Sequence, residues 1–397
     1  MFTVFRSPSQ IRRAGRGRNS NSAPGARKFA RALVLCATLC ALAGCSSLTV
    51  EDEVVHLNQE KCDGEAFRVD LLCDDEIELL KNALNDPAVR DASGVDRDHL
   101  RKLAEERGLD YATAVFFHNV SQEPNTRAYL DRIDRIRARL EKHLEKQTAP
   151  QPLNRTDITL AMVPAMYYNS NASIGGDGRD IRSMAGRLGI PNELVIVDPD
   201  GHVNANGQFL CEWLDQRQDR KFLLASISKA ALDIKRAIQL CGQAPDGGSF
   251  RNVIGWLDVG GTNRGSYLIN EMDDYWAYRW RAKYFFWREG YTYDSFLSVK
   301  VDPTAPYYAH VQFPPKMKVV NVIATPIRRH LTARSAEAYN ILSKQGPNDG
   351  LTILADSYMP GATNISLRGN DHYFAFPEKR EILLRTALTE FIENAPR

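Results

Sequence analysis

Apolar residues recur in two different patterns along this chain of 397 residues. Between residues 74 and 147 they return every three or four positions, which predicts amphipathic helices. The segment NTRAYLDRIDRIRARLEKHLEKQ shows this best, with one stripe formed by Leu130, Ile133, Ile136, Leu140 and Leu144. Asp96 precedes another such segment and is expected to cap its helix. Residues 74–147 are therefore predicted to form an α-helical N-terminal region.

From residue 155 to 397 the pattern changes to short apolar runs that alternate with helical segments. The runs predict buried strands at 158–163, 193–197, 222–225, 253–259, 318–324 and 363–368. The helical segments lie at 178–188, 207–218, 229–240, 332–343 and 378–393. This alternation favours an α/β fold with a mostly parallel sheet covered on both faces. The segment TAPQPLN, at 148–154, contains two prolines and no periodicity, and it marks the predicted boundary between the two regions.

One connection is too long for a simple crossover. Nearly sixty residues separate Val259 from Lys318, and they include the aromatic-rich segment EMDDYWAYRWRAKYFFWREGYTYDSF. Long insertions beyond the carboxyl ends of strands are usually functional. We therefore predict a cap at about 260–317, with Trp276, Trp280 and Phe286 as candidate contacts for an apolar part of a substrate. Taken singly, each of these aromatic residues is more often a packing residue.

The first 45 residues differ in composition from the rest. Residues 1–31 hold eight basic residues and no acidic one, and an uncharged apolar run follows at 32–44. This run is too short to span a bilayer and is typical of an export signal. Its end, LAGC, resembles the lipobox of bacterial lipoproteins. The resemblance implies a signal peptide at 1–44, lipidation of Cys45, a tether at 45–73, and a location in the bacterial cell envelope, at the periplasmic face of the outer membrane. The alternative is an ordinary cleavable signal with a chance cysteine.

Loss of the signal would change both the charge and the cysteine count. It removes eight of the 51 basic residues and none of the 49 acidic ones, which gives a net charge of −6. A mildly acidic protein offers no support for nucleic-acid binding. Four cysteines besides Cys45 would remain and permit two disulfides, with Cys62–Cys73 and Cys211–Cys241 as the local pairing. No cysteine or histidine spacing suggests a metal site, and no cofactor is predicted.

Two serines separate the predicted strand 222–225 from the helix that follows. The sequence Ser226-Ile227-Ser228-Lys229-Ala230 has the arrangement small-x-Ser-x-small between strand and helix, which predicts a nucleophile elbow at Ser228. The usual form has glycine at both flanks, and here serine and alanine take their places. Two alternatives stay open: Ser228 caps the helix, or Ser226 is the reactive serine.

A serine becomes a good nucleophile only when a histidine takes its proton and an acid orients that histidine. Asp349, in the turn PNDG, and His372, in GNDHY, follow Ser228 in that chain order. Asp356 and Asp371 are alternative acids. The alternative histidines in this region are His202, His310 and His330.

In the order and placement of these residues, residues 155–397 resemble an α/β-hydrolase of the serine esterase and lipase type. The resemblance implies that Ser228 is the nucleophile, His372 the general base and acid, and Asp349 the orienting acid. It also implies an oxyanion hole formed by the main-chain N–H of Lys229 and that of Ala165 or Met166. The implied activity is hydrolysis of carboxylic or acyl esters, with a small molecule or a lipid as substrate.

Two further interpretations remain open at the level of sequence. One is an envelope lipoprotein without catalytic activity that binds a lipid or protein partner. The other is an amidase or peptidase that uses the same three residues, since the nucleophile chemistry is shared. No oligomeric state is predicted.

Overall fold

The described part of the N-terminal region contains four helices. A computed structural model describes residues 74–85, 95–145, 152–170, 174–374 and 377–395. The helices are α1 (Asp74–Asn85), α2 (Arg97–Arg107), α3 (Leu109–Gln122) and α4 (Pro124–Glu145). Asp96 caps α2 as predicted, because its carboxylate accepts the N–H of His99 at 2.8 Å.

In the described residues that follow, six parallel strands form one sheet. The strands are β1 (Ile158–Val163), β2 (Asn192–Leu194), β3 (Lys221–Ile227), β4 (Val253–Val259), β5 (Lys318–Thr325) and β6 (Thr363–Arg368). Their order across the sheet is β2-β1-β3-β4-β5-β6, and every neighbouring pair is parallel. All six side chains of β1 are buried, as expected for a strand covered on both faces. The predicted parallel sheet is confirmed.

β2 is shorter than the predicted strand at 193–197. The N–H of Val195 still bonds to the carbonyl of Met162 in β1, but the N–H of Val197 turns back to the carbonyl of Val195. Ile196 points outward and is 73% exposed. The apolar run therefore continues past the point at which the backbone leaves the sheet.

The other described α-helices connect the strands, belong to the insertion or, in the case of the last one, follow the final strand. They are α5 (Arg179–Arg187), α6 (Val203–Asp215), α7 (Ala230–Cys241), α8 (Tyr267–Asp274), α9 (Trp276–Glu289), α10 (Tyr293–Leu297), α11 (Ala333–Leu342), α12 (Leu354–Ser357) and α13 (Pro377–Glu393). α6 begins four residues before the predicted start at 207, because the ring of His202 caps it by accepting the N–H of Asn204 at 3.1 Å. α8, α9 and α10 lie in the predicted cap.

Two apolar layers enclose the sheet. Side chains of α4, α5 and α13 pack against one face, and side chains of α6 and α7 pack against the other. Cys211 in α6 is bonded to Cys241 at the end of α7. That predicted pairing is confirmed, whereas Cys62 and Cys73 lie outside the described residues.

The N-terminal helices share a third apolar cluster with the cap. Leu100 and Phe116 pack in the same cluster as Phe285 of α9, Ile323 of β5 and Leu354 of α12. A polar contact also joins α4 to the sheet, because the buried hydroxyl of Thr126 donates to the carbonyl of Asn364 in β6 at 2.8 Å. All described residues belong to one compact unit.

The signal predicted at 1–44 and the tether predicted at 45–73 lie outside the described residues. The same holds for most of the boundary predicted at 148–154, and all three stay predictions. Among the helices that are described, none is both long and apolar enough to cross a membrane.

Candidate active site

Ser228 occupies a strained turn between β3 and α7. Its φ is 57°, in the left-handed region that residues other than glycine rarely adopt. Two main-chain hydrogen bonds tie this turn to the end of β4 and the loop that follows it. The N–H of Ser228 donates to the carbonyl of Val259 at 3.4 Å, and the carbonyl of Ser228 accepts the N–H of Thr262 at 3.2 Å. Ser228 is therefore held at the carboxyl edge of the sheet in the conformation of a nucleophile elbow.

The two small residues that flank this turn are completely buried. Ser226 donates its hydroxyl to Asp258 at 2.6 Å and accepts the indole N–H of Trp256 at 2.8 Å, so its oxygen is occupied below the turn. Ala230 begins α7 with no exposed surface. The residue that precedes α7 is Lys229, and no side chain caps the helix there. The geometry thus favours neither the alternative at Ser226 nor the capping role for Ser228.

The side chains of Ser228, His372 and Asp349 form one continuous chain of hydrogen bonds. Nε2 of His372 lies 3.1 Å from Oγ of Ser228, and Nδ1 lies 2.8 Å from Oδ2 of Asp349. The residues come from three separate loops, yet both contacts lie within hydrogen-bonding distance. The structure brings together all three residues that the sequence predicted.

Asp349 reaches His372 because the loop between β5 and β6 folds back on itself. Its Oδ1 accepts the N–H groups of Leu351 at 2.8 Å and Thr352 at 2.6 Å, which leaves Oδ2 for the histidine. The N–H of His372 donates to the carbonyl of Asp349 at 2.9 Å. The intervening helix α11 therefore does not separate the acid from the site.

The alternative acids are committed elsewhere. Asp371 accepts the N–H and the hydroxyl of Thr332, each at 2.7 Å, and the hydroxyl of Ser335 at the start of α11. Asp356 is buried, with its carboxylate 3.9 Å from the guanidinium of Arg97. Neither carboxylate bonds to the ring of His372.

The alternative histidines also have other partners. His202 caps α6, and Nε2 of His310 lies 3.0 Å from the guanidinium of Arg264. Nδ1 of His330 accepts the N–H of Ile327 at 3.2 Å. The structure brings none of the three to Ser228.

The pKa of His372 is raised above its ordinary value of 6.5. Burial is the largest single cause and would lower this pKa, since a charged ring is poorly solvated there. The attraction and the hydrogen bond of Asp349, together with smaller attractions from Asp371 and Asp258, outweigh burial. The environment therefore favours the imidazolium that forms when a serine proton is taken up.

Of the two residues predicted to supply the second oxyanion donor, the structure leaves one available. The N–H of Ala165 donates to the carbonyl of Gly176 at 2.9 Å, and the N–H of Tyr167 donates to that of Pro199 at 2.8 Å. Between them, the N–H of Met166 has no acceptor in the described part of the chain, and the same holds for the N–H of Lys229. All the residues predicted for the oxyanion hole line the same cavity as Ser228.

That cavity has a volume of about 270 Å³ and is mostly apolar. Ser228 and His372 lie at one side, and the cap supplies Leu268, Met272, Phe285, Phe286 and Phe296. Phe286 is thus placed as the sequence predicted. Trp276 and Trp280 are a correction: they do not line the cavity and are 65% and 69% exposed, because they project from a different side of α9 from the buried Ala282, Phe285 and Phe286.

Sequence reasoning missed a buried polar network beneath the elbow. Asp258 at the end of β4 accepts hydrogen bonds from Ser226 and, at 3.2 Å, from Asn263. Nζ of the buried Lys235 donates to the carbonyls of Asn263 at 2.6 Å and Tyr307 at 2.7 Å, which fixes the loop that follows β4. The signal was visible as an aspartate inside the apolar run VIGWLDV.

The packing around Asp258 also requires a glycine. A Cβ atom on Gly261 would lie 1.9 Å from Oδ2 of Asp258. Within the described ranges, no group of three or more His, Cys, Asp or Glu side chains is arranged to hold a metal ion.

Strand order, elbow and loop positions together define the fold. The serine follows a central strand of a parallel sheet, and the acid and the histidine follow later strands in that order. This is an α/β-hydrolase fold. The predicted fold class is confirmed, including the cap.

Comparisons with known proteins give distant likenesses. Neither a scan against protein-family models nor a search of curated proteins finds a match. Among solved structures, a metagenomic carboxyl esterase is similar with a TM-score of 0.48 and 19% identity, over 62% of this chain and 78% of that chain. The mature form of a Bacillus licheniformis lipase has a TM-score of 0.42 and 18% identity, over 60% and 94%. A serine hydrolase of Xanthomonas campestris, described as having no lid, has a TM-score of 0.30 and 15% identity, over 63% and 88%.

Proposed function

We propose that this protein is a serine hydrolase that cleaves carboxylic esters with an apolar acyl group. The observation that carries the proposal is the hydrogen-bonded chain from Ser228 through His372 to Asp349, with Ser228 in a left-handed turn. The apolar cavity beside Ser228 supports an apolar group on the substrate.

In the proposed reaction Oγ of Ser228 attacks the ester carbonyl carbon while its proton passes to Nε2 of His372. The main-chain N–H groups of Lys229 and Met166 would stabilise the negative oxygen of the tetrahedral intermediate. His372 then protonates the leaving alcohol as the C–O bond breaks, which leaves an acyl group on Ser228. Water, deprotonated by His372, attacks this acyl group and releases the carboxylic acid.

The test combines an activity-based label with an ester series. A fluorophosphonate probe should label Ser228, and the Ser228→Ala variant should lose labelling and at least about 10³-fold in kcat/KM for p-nitrophenyl esters. Ser226→Ala is the matched control and should still be labelled per folded molecule, because its hydroxyl faces Asp258 and not the cavity. Labelling that survives Ser228→Ala would contradict the proposal.

The same experiment separates the two other functions predicted from sequence. A chain that only binds lipid or protein would not react with the probe at Ser228. An amidase or peptidase would be labelled but would turn over p-nitroanilides as well as the matching esters. We expect ester turnover to exceed anilide turnover, and to rise with acyl chain length until the cavity is filled.

A further inference from the structure

The outer side of α9 and the residue before it carry a dense group of aromatic side chains. Nine large apolar side chains are exposed among the described residues, and six of them lie within thirteen consecutive positions. They are Tyr275, Trp276, Tyr278, Trp280, Tyr284 and Trp287. Contiguous exposed apolar surface of this kind marks an interaction site, whereas isolated exposed apolar residues do not.

Four of these residues form a stripe along the helix. Trp276, Trp280, Tyr284 and Trp287 follow one another at intervals of three or four positions, so they project from one side. We call this stripe the aromatic face. The inward side of α9 is occupied separately by Ala282, Phe285 and Phe286, which are buried. Core packing therefore accounts for the inward side of the helix and leaves the aromatic face unexplained.

Basic residues are interspersed with the aromatic ones. α9 contains Arg279, Arg281, Lys283 and Arg288, and its single acidic residue, Glu289, pairs with Arg288 at 2.6 Å. Arg281 and Lys283 are exposed next to the aromatic face. Tryptophan and tyrosine rings prefer the headgroup level of a bilayer, and nearby basic side chains are attracted to anionic lipids.

We propose that α9 docks this protein on the surface of an anionic phospholipid bilayer through the aromatic face, with Arg281 and Lys283 directed at lipid phosphates. An exposed aromatic stripe and a net positive charge occur together on this one helix. This combination favours an anionic bilayer as the partner, since a contact face for a second protein would need the apolar stripe but not the positive charge. Phe285 and Phe286 of the same helix line the cavity. One helix diameter, about 10 Å, would then separate the bilayer surface from the cavity. The proposal goes beyond the proposed reaction and does not depend on it.

The test measures vesicle binding by the chain without residues 1–44, because their basic residues and apolar run would themselves bind anionic vesicles. The background carries Ser228→Ala and Cys45→Ser, which excludes both catalysis and an attached lipid. The parent should cosediment with vesicles of phosphatidylglycerol and phosphatidylcholine, and its tryptophan emission should shift to shorter wavelength. The variant Trp276→Ser/Trp280→Ser/Trp287→Ser should bind at least about tenfold more weakly. The matched control Ile196→Ser/Phe209→Ser/Leu240→Ser removes three exposed apolar side chains elsewhere and should bind like the parent.

A second variant tests the charge. Arg281→Gln/Lys283→Gln should weaken binding by about fivefold per residue removed, with a smaller difference at high salt. The proposal is overturned if the tryptophan variant binds like the parent, if the control loses as much, or if pure phosphatidylcholine vesicles bind equally well. Concentration-dependent dimers that the tryptophan substitutions abolish, without vesicle binding by the parent, would also overturn it and assign the aromatic face to a second copy. Because the background lacks Ser228, failure of the esterase test leaves this result unaffected.

Discussion

At the scale of single residues, the site depends on a serine in a conformation that it does not favour. A left-handed φ costs a non-glycine residue about 1 kcal/mol or more, and it persists only where the surroundings impose it. Here the hydrogen bonds to Val259 and Thr262 hold the turn, and Ser226 and Ala230 are small enough to be buried on either side of it. Serine and alanine thus fit where the usual pattern has glycine.

The role proposed for Asp349 can be tested by replacing one oxygen of its carboxylate with an amide nitrogen. We predict that Asp349→Asn lowers kcat by about 10⁴-fold, because the amide cannot hold the imidazole in the required tautomer or stabilise its charged form. It should also lower the pKa of His372, since the attraction that raises that pKa is lost. The acid limb of the pH profile of kcat/KM reports the pKa of the general base in the free enzyme, so this limb should move to lower pH.

The control for this prediction is Asp356→Asn. Asp356 is buried but makes no contact with the imidazole, so its removal should leave the acid limb of the pH profile where it is. An Asp349→Asn variant with the parent's pH profile would show that this carboxylate does not set the protonation of His372.

At the scale of elements, the disulfide links the two helices that cover one face of the sheet. Cys211 and Cys241 are separated by 30 residues along the chain. Closing a loop of this length restricts the unfolded chain, and we predict that Cys211→Ala/Cys241→Ala lowers the free energy of unfolding by about 3 to 4 kcal/mol. Urea unfolding of the variant and of the oxidised parent measures the difference.

A single substitution provides the control for this prediction. Cys211→Ala alone opens the same loop and should lose nearly as much as the double variant. If the double variant unfolds at the same urea concentration as the oxidised parent, the bridge does not stabilise the fold.

The cap shows how one element can serve two surfaces. The density of aromatic residues in the sequence suggested that Trp276, Trp280 and Phe286 contact substrate. In the structure Phe285 and Phe286 line the cavity, whereas Trp276 and Trp280 are exposed. A helix that is aromatic on all sides hides its orientation in the sequence, because the apolar periodicity that normally marks the buried face is absent.

At the scale of the whole molecule, the buried Asp258 and Lys235 couple stability to pH. Burial raises the pKa of Asp258 from 3.8 to about 7, so the folded protein keeps a proton that the unfolded chain releases between about pH 4 and pH 7. Stability contributed by this group therefore falls as pH rises through that window. Burial, with Arg264 nearby, lowers the pKa of Lys235 from 10.5 to about 7, so its contribution rises between about pH 7 and pH 10.5.

We predict that Asp258→Asn removes the first of these two effects. Between pH 5 and pH 8 the free energy of unfolding of the parent should fall, relative to the variant, by on the order of 2 to 4 kcal/mol. Urea unfolding at the two pH values measures this difference. Asp131→Asn, at an exposed position on α4, should follow the parent, and equal slopes for parent and Asp258→Asn would refute the assignment.

The sequence by itself determined the alternation of strands and helices, the position of the elbow, and the order of Ser228, Asp349 and His372. These follow from local patterns, because apolar periodicity, turn residues and small flanking side chains act over a few positions. Only the tertiary structure decided which loops meet. It brought Asp349, and neither Asp356 nor Asp371, to the ring of His372, tied Ala165 to Gly176, and directed the tryptophans of α9 outward, because each outcome depends on contacts with residues outside the local segment.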